Sequence, residues 1–181
     1  MLFESSAKFL DLKKVLPELH VKKSRVLIFS QFKMTLDILE LFLQELNYKY
    51  LRFDGSTAIN ERQDLIDKFN NNSSYFVFLL TTGAGGVGIN LTSADTVIFY
   101  DLSYNPQNDR QAEDRCHRLG QTKTVKVYKL LVEDTVDIHI HKIANDKKIL
   151  TDMMLEEGNF EGKEKESITK LLTNCLSTKI K

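Results

Sequence analysis

Three runs of almost uninterrupted apolar residues, VLIF at 26–29, FVFLL at 76–80 and TVIFY at 96–100, fix what this chain can become. A strand with one wet face alternates polar and apolar residues, whereas these runs do not, so they read as strands covered on both faces. YLRF at 50–53 and VKVYKL at 125–130 complete five candidate strands. Between them lie helical patterns. Leu36, Leu39, Leu43 and Leu46 recur at three- and four-residue steps and predict a helix over about Met34–Leu46; Asn60–Phe69 and Gln107–Arg118 are the next helices. Strands alternating with helices predict an α/β fold with a parallel sheet between two helical layers. Such a sheet gathers its loops, and therefore its ligands, at the carboxyl ends of the strands. Beyond it, Thr135–Leu155 reads as one long helix free of glycine and proline, EEGNFEGKEKES interrupts the pattern, and Ile168–Leu176 forms a last short helix. NNNSS at 70–74 is a loop.

With 181 residues, the chain has the length of about one domain. Lys+Arg and Asp+Glu balance at 25 each, so no bulk positive charge announces a nucleic acid; a local strip working beside another domain remains open. Cys116 and Cys175 cannot make a disulfide framework. The N-terminal MLFESSAKFLDLKK lacks the apolar core of a signal peptide, and no apolar run reaches the ~18 residues of a membrane span. An intracellular protein that does not enter membranes is expected.

Gly83-Ala84-Gly85-Gly86-Val87-Gly88 matches the GxGxxG dinucleotide fingerprint, and Asp101 stands where a ribose-binding acid would. The match is formal. Only Ile89–Asp95 separates the last glycine from the next strand, too little for the usual crossover helix, and the glycines follow the third strand rather than the first. His139 and His141 are two apart on a helix and diverge, so they make no metal pair.

The informative segment runs from Gln107 to Thr122. Gln111, Arg115 and Arg118, spaced by four and three, project from one helix face. Guanidinium forks a turn apart suit a polyphosphate, since each holds two oxygens. The alternative is a solvated charged face partnered by Asp109, Glu113 and Asp114.

Four segments together carry a resemblance. QAEDRCHRLGQT at 111–122 resembles helicase motif VI of SWI/SNF-type ATPases; VLIFSQF at 26–32 resembles motif IV, YLRFDGSTAINERQD at 50–64 the segment after it, and LTTGAGGVGINLTSADTVIFYD at 80–101 motif V with its extension. Order and spacing agree across Ser6–Leu155. The resemblance implies a RecA-like lobe, the second of two that close on ATP and track along duplex DNA. The GxxxxGK[ST] phosphate loop and DEAH-like strand end of a first lobe are not in this sequence. ATP with Mg would therefore be held mainly by an N-terminal RecA-like lobe of a parent protein, with double-stranded DNA or a nucleosome as partner and the nucleus as location. The implied layout is a lead-in helix over 1–24, the lobe over 25–134, a brace helix over 135–157 and a tail over 158–181.

The resemblance further implies that Arg115 and Arg118 are the fingers that reach the γ-phosphate, and that Gln111 positions them or the attacking water. Gly86 and Gly88 would let the backbone approach nucleotide and partner lobe. Ser30, Gln31, Gly55, Ser56, Thr57, Thr81 and Thr82 fall where the second lobe meets DNA phosphates, and hydroxyls with backbone N–H groups grip phosphate without reading sequence. Tyr104 offers an aromatic surface at the place thought to couple DNA grip to hydrolysis. Three departures stand out. Gly83 replaces the usual Arg or Lys, Leu102-Ser103-Tyr104 replaces the S-D-W of D-S-D-W-N-P, and Ala7 replaces the glycine of an S-G-K lead-in. SAKFLDLKKVLPEL, NPQND and ILTDMMLEEGNFEG most resemble the lymphoid-specific helicase group, with SWR- and INO-type remodelers next. Two functions compete: one half of a DNA-translocating ATPase, or a stand-alone, non-hydrolytic module that binds DNA or a partner ATPase. A GxxxxGK[ST] block encoded upstream in the same frame would select the first.

Overall fold

The computed structural model describes residues 3–84, 89–114 and 123–156. Ten elements follow in chain order: α1 (Ala7–Val21), β1 (Val26–Ser30), α2 (Lys33–Glu45), β2 (Tyr50–Phe53), α3 (Ile59–Asn71), β3 (Val77–Thr81), β4 (Thr96–Phe99), α4 (Pro106–Glu113), β5 (Lys126–Lys129) and α5 (Val136–Glu156). The five strands form one sheet in the order β2-β3-β1-β4-β5, every neighbour parallel. This is the sheet of a RecA-like lobe. The apolar runs behave as their composition dictates: β1 and β4 are buried throughout and β3 in all but its last residue, while the edge strands β2 and β5 are partly exposed.

Alternate side chains feed two cores. Val26, Ile28, Val77, Leu79 and Ile98 meet α1 and α2 through Leu12, Leu16, Leu36, Leu39 and Phe42. Leu27, Phe29, Phe53, Phe78, Leu80, Val97 and Phe99 meet Ile66 and Phe69 of α3 and Ala112 of α4 on the other face. α2 and α3 lie on opposite faces because the chain steps outward from β1 to β2 and back from β2 to β3, and each right-handed crossover flips sides with direction. The end of α2 is set by Asn47, which takes the left-handed conformation (φ 55) that asparagine tolerates, while Tyr48 N–H reaches back to Leu43 O at 3.0 Å. α4 starts at Asn105, whose side chain accepts from Gln107 N–H, and at Pro106, preset for a first helical position.

The expected boundaries hold within two residues for α2, α3 and α5. Of the helix expected over Gln107–Arg118, α4 accounts for the part to Glu113, with Asp114 as its C-cap. Arg115 and Arg118 lie outside the described residues, as do Gly86, Gly88, Cys116, Cys175 and the helix expected over Ile168–Leu176. Among the described residues no helix is long and apolar enough to cross a membrane.

Candidate functional site

The carboxyl edge of the sheet is built by loops from β1, β2, β3 and β4. Ser30 ends β1 and pairs in register with Thr81 at the end of β3, and Thr82 N–H donates to Ser30 O at 2.9 Å. Asp101, just past β4, closes the gap on the other side. Its carboxylate accepts from Ser30 Oγ at 2.5 Å and from Gln31 N–H at 2.8 Å, while Gln31 Nε2 donates to Leu102 O at 2.6 Å. Motif IV, motif V and the loop after β4 are thus one bonded unit.

The resemblance puts Ser30 at a DNA phosphate; in the structure the residue is fully buried and its hydroxyl donates to Asp101. Thr82 is also buried, and its hydroxyl has no hydrogen-bond partner among the described residues. Gln31, Gly55, Ser56 and Gly83 are exposed, Thr57 and Thr81 half-buried. Asp101, the apparent ribose acid of the glycine fingerprint, has both oxygens engaged inside the chain. His139 is exposed, while His141 is half-buried and lines a cleft. A β-carbon added at Gly83 meets nothing within 4 Å among the described residues.

The turn after β2 is organised by Asp54, a residue outside the expected site set although Asp-Gly-Ser-Thr is a side-chain turn signature. Asp54 Oδ1 accepts from Ser56 N–H at 2.8 Å and from Ser56 Oγ at 2.5 Å, and Asp54 N–H donates to Thr57 Oγ1 at 3.0 Å. Arg52 holds Asp54 from below at 2.8 Å and is itself held by Asp37 and Glu40 of α2 at 2.6 and 2.5 Å. Ser56 and Thr57 are therefore aimed by a charge network rooted in the sheet. Burial pushes the Asp54 carboxyl up, but the Ser56 hydroxyl and N–H and the Arg52 guanidinium outweigh it and hold the carboxyl at about 2, below its ordinary 3.8. A carboxyl whose folded value lies below its unfolded one stabilises the fold above the unfolded value and loses that contribution as pH falls. Asp54→Asn should cost about 1–3 kcal/mol at pH 7 in urea unfolding. The gap to the parent should shrink steadily as pH falls from about 4 toward about 2. A gap that stays constant over that window would refute the network.

α4 packs against α5, and between them and β5 lies a cleft of about 370 Å³ lined by Asp109, Arg110, Glu113, Lys129, His141 and Lys148, among others. Gln111 is exposed on α4. Asp109, read from sequence as one of three solvated acids, is 5% exposed. Burial raises its carboxyl to about 6; Lys129 and the Ser103 N–H oppose the rise, Glu113 and Asp101 add to it.

The family model of the helicase conserved C-terminal domain matches residues 7–120, from the first turn of α1 past the end of α4. The chain belongs to this family. It is 49% identical over 171 residues to the Drosophila melanogaster homolog of "SWI/SNF-related matrix-associated actin-dependent regulator of chromatin subfamily A containing DEAD/H box 1", covering 94% of this chain and 20% of that protein. To "Helicase domino", also from Drosophila melanogaster, it is 52% identical over 147 residues, 81% of this chain and 5% of that one. Among solved structures, "Crystal structure of the C-terminal part of Fun30 ATPase domain" superposes with a TM-score of 0.76 at 50% identity, over 78% of this chain and 46% of that one. The resemblance to SWI/SNF-type ATPases and the RecA-like fold are thereby shown. The chain spans a fifth or less of the length of these curated relatives.

Proposed function

We propose that the chain is the second lobe of an ATP-driven DNA translocase of the chromatin-remodeling kind, working in the nucleus on double-stranded DNA or nucleosomes. The observation that carries this reading is the bonded carboxyl edge, where Ser30, Gln31, Thr82, Asp101 and Leu102 from three strand ends form one unit beside the glycine segment. A unit of that kind transmits a change at the nucleotide to the DNA contacts without needing net positive charge. In this reading Arg115 and Arg118 reach across to ATP with Mg held by a first lobe, Gln111 positions them, and Gly86 and Gly88 bring the backbone close to nucleotide. The DNA contacts are Gln31, Gly55, Ser56, Thr57, Thr81 and Tyr104, with Thr82 supporting them from below.

The chain by itself should hydrolyse no ATP with or without DNA, because the polyphosphate cradle is not in its sequence. It should bind duplex DNA weakly, with little sequence preference, and lose affinity linearly in log–log plots against salt, each neutralised phosphate adding about 0.9 to the slope. Turnover by the isolated chain, or binding confined to one sequence, would refute the reading.

A further inference from the structure

Three consecutive residues after β4 are each held from a different element. Leu102 O accepts from Gln31 Nε2 at 2.6 Å, at the end of β1. Ser103 is gripped by α4 and its cap: its Oγ accepts from Asn108 Nδ2 at 3.2 Å and from Asn105 N–H at 3.1 Å, and its backbone N–H lies toward the buried Asp109 carboxyl and favours its charged form. Tyr104 O accepts from Lys147 Nζ of α5 at 3.4 Å. Leu102 and Ser103 are buried, at 4% and 5% exposure, yet Tyr104 is 52% exposed. The backbone is pinned from three directions while the ring it carries faces outward.

A loop that merely joins β4 to α4 would not need three anchors, and a large aromatic ring left half in water gains nothing from a pinned backbone unless something docks on it. Ordering a side chain before binding removes an entropy cost from the binding step. An aromatic face beside hydroxyls and backbone N–H groups suits a sugar-phosphate backbone, whose sugars pack on rings while its phosphates take hydrogen bonds.

We propose that Gln31, Asn108, Asp109 and Lys147 are positioning residues that hold Tyr104 as a preordered aromatic contact for the nucleic-acid backbone. The proposal rests on the DNA reading above and adds to it the mount and its members. Asp109 and Asn108 sit on the helix that also carries Gln111, so this mount is a physical link from the motif VI helix to the DNA face.

The chain contains no tryptophan, so Tyr104→Trp installs a single reporter at the site itself. In that background, time-resolved anisotropy should show the introduced indole moving with the whole domain. Adding Asn108→Ala or Asp109→Asn should free a fast local motion and weaken duplex DNA binding about three- to tenfold, with far-UV circular dichroism unchanged. Asp109 faces Glu113 of its own helix, Lys129 of β5, Asp101 after β4, and Arg110, His141 and Lys148 around the cleft. Lowering pH through about 6 protonates Asp109 and should loosen the indole when the mount is intact; the transition should vanish with Asp109→Asn and persist with His141→Asn. If the indole is equally rigid in both mount variants and across that pH range, the proposal is overturned. If both variants loosen the ring but no version responds to DNA, the DNA reading fails and the mount stands.

Discussion

Replacing Arg118 by alanine in a protein that contains both lobes should cut DNA-stimulated ATP turnover by about 10³–10⁵-fold while DNA affinity stays nearly unchanged. The size follows from where charge develops. In phosphoryl transfer the protein does little covalent chemistry, and a guanidinium donated across an interface neutralises the oxygens of the moving phosphoryl group as they need it most. For a finger that meets the γ-phosphate in the transition state, as proposed, the loss should appear in kcat and in kcat/KM alike. Arg115→Ala should behave similarly, and the double variant should be little worse than the poorer single, since groups that act as a unit are not additive. Lysine should not restore turnover at either position, lacking the two-pronged fork. Steady-state kinetics with a parallel DNA-binding titration decides the matter. If DNA affinity falls together with turnover, Arg118 belongs to the DNA contacts instead.

The second large effect concerns stability. Phe78, in β3, is fully buried, with ring centroids of Phe69 at 5.0 Å and Phe53 at 6.4 Å. It joins β2, β3 and α3 into one packed layer. Phe78→Ala removes most of a ring from a site that cannot collapse around the gap, and should cost about 3–5 kcal/mol. For a domain of this size that lowers the thermal midpoint by roughly 10 °C. Phe32→Ala, at a ring 60% exposed, should shift stability by no more than about 0.5 kcal/mol. Thermal and urea unfolding of the two variants side by side checks the contrast. Equal losses would mean that the aromatic layer is not what holds the lobe together.

How far the sequence can be read depends on whether the physics is local. β1, β3 and β4 are legible because strands buried on both faces have no polar residues to interrupt them. α2 is legible from its leucines and α5 from its lack of breakers. The site is legible where a motif names its residues, and silent where residues far apart in sequence meet. Ser30 and Asp101 are 71 positions apart, and nothing near either one says that the serine's hydrogen points inward. Asp109 is the sharper case. Set among Asn108, Arg110 and Asp114 it reads as part of a wet surface, and only the packing of α4 against β5 and α5 buries it. The Asp54 turn, by contrast, is announced by Asp-Gly-Ser-Thr; the hydroxyls of that run suggest phosphate contacts, while the acid that aims them carries the local structure.

The place of β1 in the sheet has a consequence for how the chain is made. It emerges first among the strands, yet both of its neighbours come later: Val26 pairs with Val77 and with Thr96. At a ribosomal rate of roughly 5–20 residues per second, its sticky backbone edges wait several seconds for either partner. During that interval VLIFS is an open, uncharged template that another nascent chain can pair with. Survival of newly made protein should therefore depend on molecular chaperones more than the finished domain's compactness suggests.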